Sequence, residues 1–115
     1  MVLVHSHLKE NKTIEISGSK SISNRLLILH QLFDNILIQN LSNSQDTQLL
    51  QAALQSDSDI IDIHHAGTAM RFLTSYYAIQ EGKTVVLTGS ERMKQRPIKF
   101  LVDALRDLGA EISYL

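Results

Sequence analysis

The chain has no cysteine among its 115 residues. That excludes disulfides, iron–sulfur ligation and a thiolate nucleophile, and fits a reducing compartment. It also has no excess of either charge: eleven Lys and Arg against twelve Asp and Glu leave a net charge of −1, so no overall basic field draws it to nucleic acid. No apolar run reaches membrane-spanning length, and the amino terminus lacks a charged start followed by an apolar core. Linkers rich in Pro, Gly and Ser are missing, as are low-complexity stretches. The expectation is a soluble, cytoplasmic protein. What is present is ordinary for a folded domain, with 43% hydrophobic and 20% charged residues. The length suits one domain with a modest core.

Hydrophobic spacing predicts strands near residues 12–16, 36–41, 60–64 and 83–88. Helices are expected at about 21–33, at 46–55, from Gly67 to about Gln80, and from Pro97 to a cap at Gly109. Around Leu26–Leu29 the first helix is apolar beyond one stripe, so it is expected to be covered on more than one side. Glu111–Leu115 reads as a strand beginning, which makes the chain an expected piece of a longer protein. Alternating strands and helices by themselves place it in the α/β class.

Three segments carry chemistry. Ser17-Gly18-Ser19-Lys20-Ser21-Ile22-Ser23-Asn24-Arg25 puts two cations at a helix start, with Ser21 and Arg25 one turn apart. A capped helix with a solvated Lys accounts for it, since Ser is a preferred cap. So does an anion site, because a cation there opposes the helix dipole until an anion arrives. It is not a P-loop, since Ser19 stands where that motif needs Gly. In His65-Ala66-Gly67-Thr68-Ala69-Met70-Arg71, small residues lead into a helix. This is either a tight turn or a close approach leaving the Gly67 N–H for an anion. The neighbouring pair His64-His65 has no partners at metal-ligand spacing, and no metal is expected. In Arg92-Met93-Lys94-Gln95-Arg96-Pro97, Pro97 holds Arg96 out of helical geometry, so its fork can be aimed at phosphate or carboxylate. The plain alternative is a solvated charge run; no aromatic is present to stack a base. Together the three turns could surround one multiply charged anion.

These three segments, in this order, resemble signature stretches of the 3-phosphoshikimate 1-carboxyvinyltransferase (EPSP synthase) family. Leu101-Val102-Asp103-Ala104-Leu105-Arg106 and Gly109-Ala110 continue the likeness. It covers essentially the whole chain but only the amino-terminal part of the much longer family sequence. The sister UDP-N-acetylglucosamine enolpyruvyl transferases have Lys-Asn in the first segment and lack Gly-Thr-Ala-Met-Arg, so they rank behind.

The resemblance implies transfer of the enolpyruvyl group of phosphoenolpyruvate to shikimate 3-phosphate, in aromatic amino acid biosynthesis. The reaction is an addition and elimination with no cofactor and no metal. It implies that Lys20 meets both substrates, that Ser21 and Arg25 bind shikimate 3-phosphate, and that Gly67 (through its N–H) and Arg96 hold phosphoenolpyruvate. Thr68 and Arg71 shape the pocket, and Asp46 is a partner for Lys20. The acid and base groups are expected outside this chain, which alone should be inactive. The implied fold has βαβαββ units with helices inside and sheets outside, an inside-out α/β barrel of which this is part. Residues 1–16 then belong to the other domain and 17–115 to one repeat domain. The implied whole enzyme is a monomer without nucleic-acid or membrane partners, in a family that is the target of glyphosate. Two positions depart from the pattern: His65 stands where Asn is usual and Phe72 where Pro is common. The alternative of another class is a non-catalytic phosphate- or anion-binding α/β module.

Overall fold

The computed structural model describes residues 1–7 and 9–115. Five helices and two short strands follow in the order α1 (Lys20–Leu32), α2 (Gln45–Leu54), β1 (Ile60–Asp62), α3 (Gly67–Tyr77), β2 (Val86–Thr88), α4 (Glu91–Lys94) and α5 (Lys99–Asp107). The strands pair in parallel, with Ile60 opposite Val86, Ile61 opposite Leu87 and Asp62 opposite Thr88. Parallel neighbours need a crossover, and α3 supplies it. The pairing continues just beyond the strands, where Ile63 N donates to Thr88 O at 3.0 Å and Ser90 N to His64 O at 2.8 Å. This is a small mixed helix and strand architecture, as the α/β pattern implied.

The core lies where α1, α2 and α3 meet β1. Leu27, Leu50, Ala53, Ile61, Ile63, Ala66, Ala69, Leu73 and Met93 are buried together. Each large aliphatic side chain among them contributes on the order of 1.5–3 kcal/mol through area removed from water. In α1 this burial selects one face, Ser23, Asn24 and Leu27, while Ile22, Leu29 and Phe33 stay exposed. The expected cover on more than one side of α1 is therefore not supplied by the described residues. In α5 only Val102 is buried, and Phe100 and Leu108 face outward.

Three predicted strands do not form. Residues 12–16, 36–41 and 111–115 have no ladder. Ile14 and Ile16 are 82% and 80% exposed, so the alternation that marked a strand there has no sheet to pack on. Ile38 and Leu41 instead lean on the core as irregular chain. The last segment is held by Arg106, whose Nε donates to Ile112 O at 2.8 Å. The radius of gyration, 18.0 Å, exceeds the roughly 13 Å of a compact domain this long, because so much of the chain lies off the core.

Smaller differences have local causes. Residues 91–94, expected as a loop, form a turn of helix capped by Ser90, whose Oγ accepts from Met93 N at 3.3 Å. Pro97 lies ahead of α5 rather than in its first turn, since Ile98 is the N-cap. Helix α3 ends at Tyr77, short of Gln80. Gly109, at φ +100°, closes α5 as expected, donating to Arg106 O at 2.9 Å. No helix among the described residues is long and apolar enough to cross a membrane.

Candidate functional site

The site residues are carried by helix starts, and these divide into two kinds. Helices α2 and α4 begin with a Ser cap and an acidic residue in the first turn. Helices α1, α3 and α5 begin with neither: their N-caps, Ser19, Ala66 and Ile98, make no side-chain cap bond. Their outward N–H groups and partial positive charge are left for another acceptor. Two uncapped starts lie within the first two motif segments, and the third, at Ile98, directly follows the last, whose own helix α4 is capped.

At the start of α1, Gly18 lies against the backbone of residues 40–42; a Cβ there would run into the Asn40 carbonyl. Ser17 Oγ donates to Asn43 Oδ1 at 3.0 Å, and Ser23 Oγ accepts from Ser42 N at 2.9 Å. These contacts bring the starts of α1 and α2 side by side, and Lys20 Nζ stands 3.5 Å from Asp46 Oδ2. Lys20 is half exposed, so this pair contributes little to stability. It does fix where the ammonium sits. One turn on, Arg25 Nη1 donates to Ser21 O at 2.8 Å and to Ser21 Oγ at 2.7 Å.

The start of α3 meets the segment before α5. An added Cβ at Gly67 would collide with the Arg96 guanidinium and stand 3.5 Å from Arg71 Nη1. Only a residue without a side chain admits Arg96 this closely. Arg71 clamps the two segments together: Nη1 donates to Gly67 O at 3.0 Å and Nη2 to Pro97 O at 2.9 Å. Neither guanidinium is paired with a carboxylate among the described residues, so the positive charge at Gly67 is uncompensated. Lys94 is different. It bonds Glu91 Oε1 at 2.8 Å, which holds the Glu91 carboxyl below its ordinary pKa and the Lys94 ammonium above its own. Arg96 is therefore the cation of its segment turned toward the α3 start.

One expectation needs correction. The Gly67 N–H is not left for an anion; it donates to His65 O at 2.9 Å, closing the turn after His64, whose φ is +48°. Thr68 follows, half-buried, with no side-chain bond among the described residues. Asp62 Oδ1 accepts from His64 N at 2.7 Å, so this carboxylate is engaged in shaping the turn.

The structure thus brings the predicted residues into two groups, Lys20–Asp46 with Ser21–Arg25, and Gly67–Arg71–Arg96. No contact joins Lys20 to Arg96. The link runs instead through Phe72, next to Arg71 on α3, whose ring lies 5.6 Å from Arg25 Cζ. Two residues escaped sequence reasoning as parts of the site. Phe72 was marked only as a departure. Asn24 is fully buried and its Oδ1 accepts from Thr47 Oγ1 at 2.7 Å, tying α1 to α2. A polar residue at i−3 from the buried Leu27 was the available signal.

Fold and site define a small α/β protein with cations gathered beside uncapped helix starts. A family profile described as EPSP synthase (3-phosphoshikimate 1-carboxyvinyltransferase) matches residues 51–115, and the chain belongs to this family. A 3-phosphoshikimate 1-carboxyvinyltransferase of Bacteroides fragilis is 53% identical over 105 residues, covering 90% of this chain and 25% of that protein. One of Shewanella pealeana is 38% identical over 134 residues, covering 93% and 31%. A pentafunctional AROM polypeptide of Lachancea thermotolerans is 41% identical over 138 residues, covering 92% of this chain and 9% of that polypeptide. The chain thus spans about a quarter of the length of the Bacteroides fragilis relative. No solved structure matches it.

Proposed function

We propose that this chain forms one wall of the substrate site of a cytoplasmic enzyme. That enzyme transfers the enolpyruvyl group of phosphoenolpyruvate to shikimate 3-phosphate, releasing phosphate, in aromatic amino acid biosynthesis. The observation that carries the reading is the paired, uncompensated guanidinium groups of Arg71 and Arg96 at Gly67. Phosphoenolpyruvate carries both phosphate and carboxylate, and the planar Arg96 fork, beside a second cation at Arg71, suits such an oxyanion.

In this reading Arg96 binds phosphoenolpyruvate and Arg71 holds the Arg96 segment in place. Gly67 serves by lacking a side chain rather than through its N–H, and Thr68 lines the turn. Lys20, beside Asp46, meets both substrates, while Ser21 and Arg25 bind shikimate 3-phosphate. Fixed cations do two things here: they bring two mutually repelling anions together, and they stabilise charge developing during addition and elimination. The acid and base for those steps come from parts of the enzyme outside this chain, and no metal or cofactor enters. The fold assignment goes with it. Residues 17–115 form part of a domain of βαβαββ units with helices inside and sheets outside, and residues 1–16 add to its partner domain. The exposed apolar side chains at both ends and on α1 support that arrangement.

The test is a chimera in which this chain replaces the aligned segment of the Bacteroides fragilis relative. Phosphate release is expected only when both substrates are present. Arg96→Ala or Lys20→Ala should lower kcat/KM for phosphoenolpyruvate by roughly 10- to 100-fold, the size of a lost charge-assisted contact. A chimera without turnover, or either variant with near-parental kinetics, overturns the reading.

A further inference from the structure

The contact between Arg25 and Phe72 has its own consequence, which rests on the reading of Arg25 as an anion ligand. A guanidinium carries five N–H donors in one plane, two of them on Nη1. Both Nη1 donors are used by Ser21, at 2.8 Å and 2.7 Å. The opposite edge, Nε and Nη2, has no acceptor among the described residues, and Arg25 is exposed. An edge with parallel donors is the geometry that grips phosphate bidentately. It can do so only if the plane is held still. Ser21 fixes one end of that plane, and the Phe72 ring lies under it, 5.6 Å from Cζ to centroid. The ring is itself steadied, because Phe72 is half-buried against the core cluster.

From this geometry we infer that Phe72 is a positioning residue: its ring holds the Arg25 guanidinium with the Nε–Nη2 edge turned out to receive an oxyanion of the phosphate class. The contact couples α3 to the anion contact on α1.

The test uses this chain, the Arg25 Nε–Hε NMR resonance and inorganic phosphate as probe. In the wild type the resonance should carry a ring-current shift and respond to phosphate. Phe72→Leu should lose that shift and weaken phosphate binding at Arg25 about three- to fivefold, as expected for an exposed cation–π contact. Phe72→Tyr should preserve both. Should Phe72→Leu not fold, Arg25→Lys serves: it keeps the charge, loses the planar fork, and should weaken phosphate by a similar factor. The inference is overturned by a wild-type Arg25 resonance indifferent to phosphate. It is equally overturned if Phe72→Leu leaves shift or affinity unchanged, or if Arg25→Lys binds as tightly as wild type. None of these readouts needs turnover, so an inactive chimera with an intact Phe72 signature overturns the enolpyruvyl-transfer reading alone.

Discussion

The two groups of cations are built differently. At the starts of α1 and α2 the contacts are between backbone and short side chains: Gly18 against Asn40, Ser23 with Ser42, Asn24 with Thr47. There the Lys20 charge is met by Asp46. At the starts of α3 and α5 one long side chain, Arg71, reaches to two carbonyls, and the charges of Arg71 and Arg96 are not met by any carboxylate among the described residues. The first group is rigid, with Lys20 offset by Asp46 and Arg25 alone unmatched; the second is adjustable and carries two unmatched guanidinium groups. An anion arriving at the second meets no competing carboxylate, while at the first it must share Lys20 with Asp46.

The comparison breaks most sharply at glycine. Gly18→Ala drives a Cβ into a backbone carbonyl that cannot swing away, and should cost about 3 kcal/mol in urea unfolding. Asn24→Ala opens a cavity and removes the acceptor of Thr47. Asn24 Nδ2 is buried without a partner, so losing that group offsets part of the penalty, and a cost of about 1–2 kcal/mol is expected by the same measurement. Gly67→Ala meets only the end of the Arg96 side chain. Stability should stay within about 1 kcal/mol of wild type, while the displaced guanidinium weakens anion binding in a phosphate titration. Equal destabilisation by Gly18→Ala and Gly67→Ala would erase the distinction between a rigid and an adjustable group.

The smallest effect lies away from both groups. Burial, and then neighbouring Tyr76, raise the Tyr77 phenol above its ordinary 10.0. The folded state therefore holds this proton more tightly than the unfolded state does. The contribution is fully present below about 10 and is lost as pH rises through the higher folded value. Tyr77→Phe should flatten the fall in stability above that pH; an unchanged alkaline profile would show that Tyr77 is not its source.

Much of this was legible from spacing. The helices at 20–32, 45–54 and 67–77 lie within a few residues of the expected ranges, because periodic apolar positions and turn residues act locally. The strands were less legible. Alternation at Ile14 and Ile16 states a preference for pairing, but a ladder needs a neighbour, and the described residues offer none there. The site was read in part. Lys20, Arg25, Gly67 and Arg96 could be singled out by residue type and place, whereas the turn that consumes the Gly67 N–H depends on the His64 backbone angle. The buried role of Asn24 and the ring beneath Arg25 are contacts between residues more than twenty positions apart.

By itself the sequence determined the helices other than α4, the absence of thiol chemistry, the cations beside three helix starts and the family to which the chain belongs. All of these rest on residue identity and local spacing. Tertiary structure decided which starts pair, α1 with α2 and α3 with the segment before α5. It also decided that Asp46 meets Lys20 while Arg71 and Arg96 go unmatched among the described residues, and that Arg96 lies where a side chain at Gly67 would stand. Those outcomes depend on how faces pack across long stretches of chain, where a difference of an ångström separates a clamp from a clash.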